Sequence, residues 1–102
     1  MYITLKEARQ HLNLDEFFKE DDGYILTLIE TAEEATSARI NRDLRELVDP
    51  NTGELSRVAR QMVLLLVGTW YSQREAAGTQ SVKAYPLAFD FLGDMYRKHV
   101  IG

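Results

Sequence analysis

The sequence predicts an all-α fold: a compact bundle of about four helices around a central, buried third helix, with the second and fourth packed on it. Three observations carry this. Ile25, Leu28, Ile29, Ala32, Ala35, Thr36 and Ile40 recur at helical spacing, with Glu30, Glu33, Glu34 and Arg39 mostly on other faces. The run Met62–Val67 is apolar on every face, the pattern of a helix surrounded by protein. Capping and turn residues punctuate the segments between them. At 102 residues and 45% hydrophobic, the chain can form one modest core. That makes a single domain over 1–102, too small for a doubly wound sheet or a barrel enzyme.

Thr4-Leu5-Lys6-Glu7 is a capping-box pattern, so a short helix should run from Leu5 to about Leu12, where Asn13-Leu14-Asp15 break it. The acidic stretch Glu20-Asp21-Asp22-Gly23 reads as a loop ahead of the second helix, placed from about Tyr24 to Arg42. Alanines in its stripe permit close approach of a neighbouring helix. Asp49-Pro50-Asn51-Thr52-Gly53 is a turn, with glycine available for positive φ. The flanking Leu47-Val48 and Glu54-Leu55 can pair as a small hairpin within the 45–57 loop or remain plain loop. Ser56 suits the N-cap of the third helix, expected to reach Ala77 with Gly78 after its end. Gly68 inside that helix costs roughly 1 kcal/mol against alanine and implies close packing of a neighbour. Residues 78–84 read as a polar loop. Pro86 suits the first turn of a last helix from about Leu87 to His99, whose apolar face is drawn from Leu87, Phe91, Leu92, Met95 and Tyr96.

Charge narrows the function classes. The net charge of −4 argues against a simple nucleic-acid clamp, which clusters Lys and Arg. Residues 1–34 hold nine acids against three bases, while 35–102 hold nine bases against seven acids. Such a molecule can pack head-to-tail on copies of itself, although a solvated helix surface has the same composition. Met1–Leu12 lacks the apolar core of a signal peptide, and the longest apolar stretch, Met62–Tyr71, is about half of what spans a bilayer.

Catalytic constellations are nearly absent, and no catalytic, cofactor or metal residue is assigned. The absence of cysteine excludes thiolate nucleophiles and zinc–thiolate sites. Glu7 and His11 share a helix face at i, i+4, but a metal site needs a third and fourth ligand that no nearby pattern supplies. The acids Asp15, Glu16, Glu20, Asp21 and Asp22 lack the alternation of a calcium loop. The most distinctive string is Trp70-Tyr71-Ser72-Gln73-Arg74-Glu75, where a long apolar run emerges into charge. It reads either as the snorkelling end of a core helix or as an inter-subunit ion pair beside aromatics.

The order of these segments carries a resemblance. Ile3-Thr4-Leu5-Lys6-Glu7-Ala8 is followed by a helix ending in Ala38-Arg39-Ile40-Asn41-Arg42, then by the run Val63–Glu75. The chain closes with Tyr85-Pro86-Leu87-Ala88-Phe89-Asp90-Phe91-Leu92 and Tyr96-Arg97. Over almost its whole length this resembles the small head–tail connector (adaptor, or DNA-packaging) proteins of tailed bacteriophages and prophages. It departs from them at Asp49–Glu54, where many members carry a longer or different insertion.

The resemblance implies a structural protein without catalysis or cofactor, located in the virion at the head–tail junction and in the host cytoplasm during assembly. Its partners would be itself, in a dodecamer-like ring, the portal protein above, and a head-completion or tail protein below. DNA would pass through the channel without sequence-specific binding, and an acidic lumen suits a duplex that must slide. No membrane is implied. The expected subunit or partner interface draws on Glu30, Glu33, Glu34, Arg39, Arg42, Trp70, Tyr71, Arg74 and Glu75, with Arg57 and Arg60 as further bases. The competing reading is a small helical regulatory or interaction module that binds a partner protein or DNA. Its only candidate for a basic recognition helix is Arg39/Arg42/Arg45, interleaved with Asp43 and Glu46.

Overall fold

Thr4 opens the first helix through the expected capping box. In the computed structural model, which describes residues 1–73 and 87–96, Thr4 Oγ1 accepts from the Glu7 N–H at 3.1 Å. The Glu7 carboxylate reaches back to the Thr4 N–H at 3.5 Å, and α1 spans Leu5–His11. Asn13, at φ 57°, turns the chain out of the helix, a conformation asparagine tolerates better than most residues. α2 runs Asp22–Ile40, two residues earlier at each end than the apolar stripe suggests. Asn41 stops it in the left-handed region, its N–H bonded to the carbonyls of Ser37 and Ala38.

The sequence reading lacked one element, a short 3-10 helix at Leu44–Leu47. Asp43 caps it and Glu46 reaches back to the Asp43 N–H, a second capping box in miniature. The following turn lies between the two expected forms. One antiparallel bridge joins Val48 to Leu55, with no strand around it. Gly53 adopts φ 72° and donates to the Asp49 carbonyl at 2.7 Å, a positive φ that only glycine takes without strain.

α3 spans Arg57–Ser72, with Ser56 Oγ accepting from the Ala59 N–H. It ends five residues before the expected Ala77, where Gln73 caps it through the Thr69 and Tyr71 carbonyls. Gly78 and the expected 78–84 loop lie outside the described residues. α4 spans Leu87–Tyr96; Pro86 and the expected extension to His99 also lie outside them.

As expected, α3 lies centrally, packing on α1, α2 and α4, and α2 shares that position, packing on α1, α3 and α4. Ala59, Met62, Val63, Leu66 and Val67 are buried on α3, each larger side chain worth about 1.5–3 kcal/mol. The expected burial on every face is not complete: Leu64 and Leu65 are only half-buried. Arg60 and Gly68 meet α1, through Glu7 and His11, whereas Met62 meets α4 at Gly93. Residues 60 and 62 lie about 200° apart around a helix, so α1 and α4 occupy opposite flanks of α3. The close approach expected at Gly68 is present: a Cβ there would come within 3.2 Å of the His11 ring.

Of the apolar face expected for α4, Leu92 packs against the core and Phe91 does not, while the side chains of Leu87, Met95 and Tyr96 lie outside those described. Phe89 is buried at 1% exposure and Gly93 is buried, while Phe91, assigned to the apolar face by sequence, points outward at 70% exposure. Arg39 of α2 lies across Gly93 on the inward side and bonds the carboxylates of Asp90 at 3.2 Å and Asp94 at 2.8 Å. Those contacts accompany the burial of Phe89 on the inward side, with Phe91 turned away.

Candidate functional site

The expected interface residues that are described lie on α2, on α3 and in the corner after α2, and three of the charged ones, Glu33, Arg39 and Arg42, are engaged within the chain. Glu33 is the clearest case. It is buried at 9% exposure, and its Oε2 accepts from the backbone N–H groups of Tyr2 at 2.7 Å and Ile3 at 2.8 Å. It anchors the N-terminal segment to α2 and is not a surface acid. Local spacing puts it at the edge of the apolar stripe, and only the arriving N-terminus buries it.

The arginines are similarly occupied. Arg39 bonds Asp90 and Asp94, and its guanidinium pKa is raised, mainly by the Asp94 hydrogen bond. Arg60 bonds Glu7, which raises its pKa, and lies 3.8 Å from Glu54. Arg42 pairs with Glu46 one turn on, at 3.6 Å. Arg45 pairs with Asp43 at 3.0 Å, which raises the Arg45 pKa; the Arg45 backbone N–H is the main cause lowering that of Asp43. Every member of the Arg39/Arg42/Arg45 group thus faces a carboxylate.

The aromatic candidates are half-buried. Trp70 and Tyr71 pack against the core, and the Tyr71 hydroxyl donates to Asp21 at 2.6 Å. Arg74 and Glu75 lie outside the described residues. Glu7 and His11 do share one face, but it is the face turned to α3, where Glu7 is bonded to Arg60.

What remains free for a partner is a shorter set. Glu30 and Glu34 are exposed on the outer stripe of α2 and form no ion pair among the described residues. They border a shallow acidic hollow shared with Tyr2, Glu33 and Asp43. Lys6, Lys19 and Arg57 are the exposed bases without an ion pair among the described residues. On the outer side of α1 lies a groove of about 370 Å³ lined by Leu5, Lys6, Arg9, Gln10, Leu14, Glu16, Lys19 and Asp22. Two phenylalanines stand out from the surface, Phe17 at 82% and Phe91 at 70% exposure. Sequence reasoning missed both as contact residues. For Phe17 the signal was present: an aromatic in the acidic loop after α1, outside any helical stripe. The chemistry available is therefore that of a docking protein, with charged rims and apolar anchors.

Comparison with known proteins agrees. The chain matches the family described as phage gp6-like head-tail connector protein over residues 2–100, and it belongs to that family. No curated protein and no solved structure gives a significant match.

Proposed function

We propose that this connector-family chain assembles as a dodecamer-like ring beneath the portal of a filled capsid, extends the DNA channel, and offers a platform for a head-completion or tail protein. The observation that carries the reading is the family match across residues 2–100. The charge inventory supports it. A formal net charge of −4, with the exposed Glu30 and Glu34 free of ion pairs among the described residues, favours a duplex that slides over one that is gripped. The role is structural, without catalysis, and belongs at the head–tail junction of the virion. No described helix is long and apolar enough to cross a membrane.

The regulator reading is weakened at its one support. A recognition helix presents free Arg and Lys to phosphates and bases, whereas Arg39, Arg42 and Arg45 are each paired with carboxylates of this chain. The test is native mass spectrometry or light scattering across concentration and salt, with and without the cognate portal protein. A ring, alone or on the portal, is the expected result. A strictly monomeric chain that binds no portal overturns the proposal, and tight sequence-selective duplex binding at physiological salt would replace it with the regulator.

A further inference from the structure

The two flanks of the molecule are complementary in a way that neither needs for folding. On the outer side of α1, the groove has an apolar floor of Leu5 and Leu14 and a rim carrying Lys6 and Lys19. Arg9 in the same groove is neutralised by Asp22, which leaves the two lysines against Glu16. On the far flank, α4 presents Phe91 at 70% exposure, between Asp90 and Asp94. Among the described residues their shared partner is Arg39, and their side chains stay 51% and 70% exposed. One flank is an apolar slot with a basic rim; the other is an aromatic knob with an acidic rim.

We propose that Phe91 of one copy seats in the α1 groove of the next, with Asp90 and Asp94 facing Lys6 and Lys19. The inference rests on the ring reading above and specifies its contact. The occupant is a second copy because both halves of the match lie on this chain, on opposite flanks of α3. A contact between different patches on opposite flanks is heterologous, so it repeats from copy to copy and can close into a ring. Phe17 does not serve this purpose. It follows Glu16, which lines the groove itself, so it stands beside the slot and not on the opposite flank. The phenylalanine supplies the desolvated anchor, and the charged rims set orientation and encounter rate.

The chain contains no cysteine, which allows a clean test. Gln10 lines the groove and Ala88 precedes Phe91 by one helical turn; both are exposed, so Gln10→Cys and Ala88→Cys leave the core intact. Under a mild thiol oxidant such as diamide, the double variant should give a ladder of covalent multimers, and each single variant nothing beyond a dimer. Opposite flanks prevent closure within one chain. In parallel, Phe91→Ala and the charge reversal Lys6→Glu/Lys19→Glu should raise the half-assembly concentration at least tenfold, with circular dichroism unchanged, while Phe17→Ala assembles as the wild type does. Wild-type rings without the ladder, or Phe91→Ala rings as stable as wild type, overturn this contact and leave the ring reading standing. A wild type that is monomeric with and without portal removes both.

Discussion

α1 and α4 flank the same central helix, and the molecule holds them by different means. α1 contributes little apolar surface: Ala8 is its only buried residue, with Ile3 just before it. Its flank is fixed by polar anchors drawn into the structure. These are Glu33 on the Tyr2 and Ile3 N–H groups, Arg60 on Glu7, and Arg9 on Asp22 with side chains 13% and 26% exposed. α4 brings the fully buried Phe89 and a polar latch whose carboxylates stay half or more in water. Exposed ion pairs are worth about 0–1 kcal/mol, so α4 is held by its phenylalanine more than by Arg39. The lesson is that equal packing positions do not imply equal energetics.

The largest test of that difference is Phe89→Ala. It should cost about 3–5 kcal/mol, the range for a buried phenylalanine replaced in a core, read by chemical denaturation. Amide exchange should show α4 released while α1 stays protected. A loss below about 1 kcal/mol would put the hold on α4 in the Arg39 latch instead. On the opposite flank, Glu33→Ala strips the acceptor from two backbone donors, one of them buried, and should cost about 1–3 kcal/mol. Exchange should now speed up at Tyr2 and Ile3 and leave α4 unchanged. Glu33→Gln keeps an acceptor oxygen and should fall between wild type and alanine.

How far the sequence foretold these flanks depends on the range of the interaction. Thr4–Glu7, Ser56–Ala59 and the Gly53 turn were legible because each is closed within a few residues. The four helices and the central position of α3 were legible too, since apolar spacing is a local pattern. Glu33 was not, because its partners lie some thirty residues upstream. Nor was the phase of α4. Phe89 and Phe91 are two residues apart and so nearly opposite on a helix, and either could have faced inward. The choice rests on contacts distant in sequence, among them Arg39, 51 residues before Asp90. Leu65 is half-buried where Leu66 is fully buried, and an all-apolar run does not reveal which side of a helix its neighbours cover most. The surface sites depend on these long-range choices, so the free charges and exposed phenylalanines could be identified only after folding.

A smaller effect compares the two glycines that admit these close contacts. An interior helical glycine changed to alanine gains up to about 1 kcal/mol of helix propensity. At Gly68 the added Cβ meets only the far end of the His11 side chain, at 3.2 Å, and His11 is exposed and can swing away. At Gly93 the Cβ would lie 3.0 Å from Arg39 Cγ and 3.3 Å from both Arg39 Cζ and the methyl of Met62. Gly68→Ala should therefore be neutral or stabilising by up to about 1 kcal/mol. Gly93→Ala should lose that gain and destabilise by about 1 kcal/mol as Arg39 is displaced from Asp90 and Asp94. Equal melting temperatures for the two variants would mean that Gly93 is not a closer contact than Gly68.

The smallest effect belongs to neither flank and separates both from the corner that joins α2 to α3. The Asp43 carboxylate accepts from the Arg45 N–H at 2.9 Å and from its guanidinium, and these contacts lower its pKa from the ordinary 3.8. A carboxyl lowered on folding adds stability that is fully present above its unfolded value and is lost as pH falls through its folded value. Asp43 should thus support the 3-10 helix fully above about pH 3.8 and lose that contribution progressively as the pH falls further, through its lowered folded value. Asp43→Asn keeps a capping oxygen without the charge, so its deficit against wild type should be visible at pH 7 and vanish at low pH. Denaturation of both proteins at pH 7 and in a descending series below about pH 3.8 measures this directly. A deficit equal at pH 7 and across that series would show that Asp43 acts through its hydrogen bonds alone, with no contribution from the carboxylate charge.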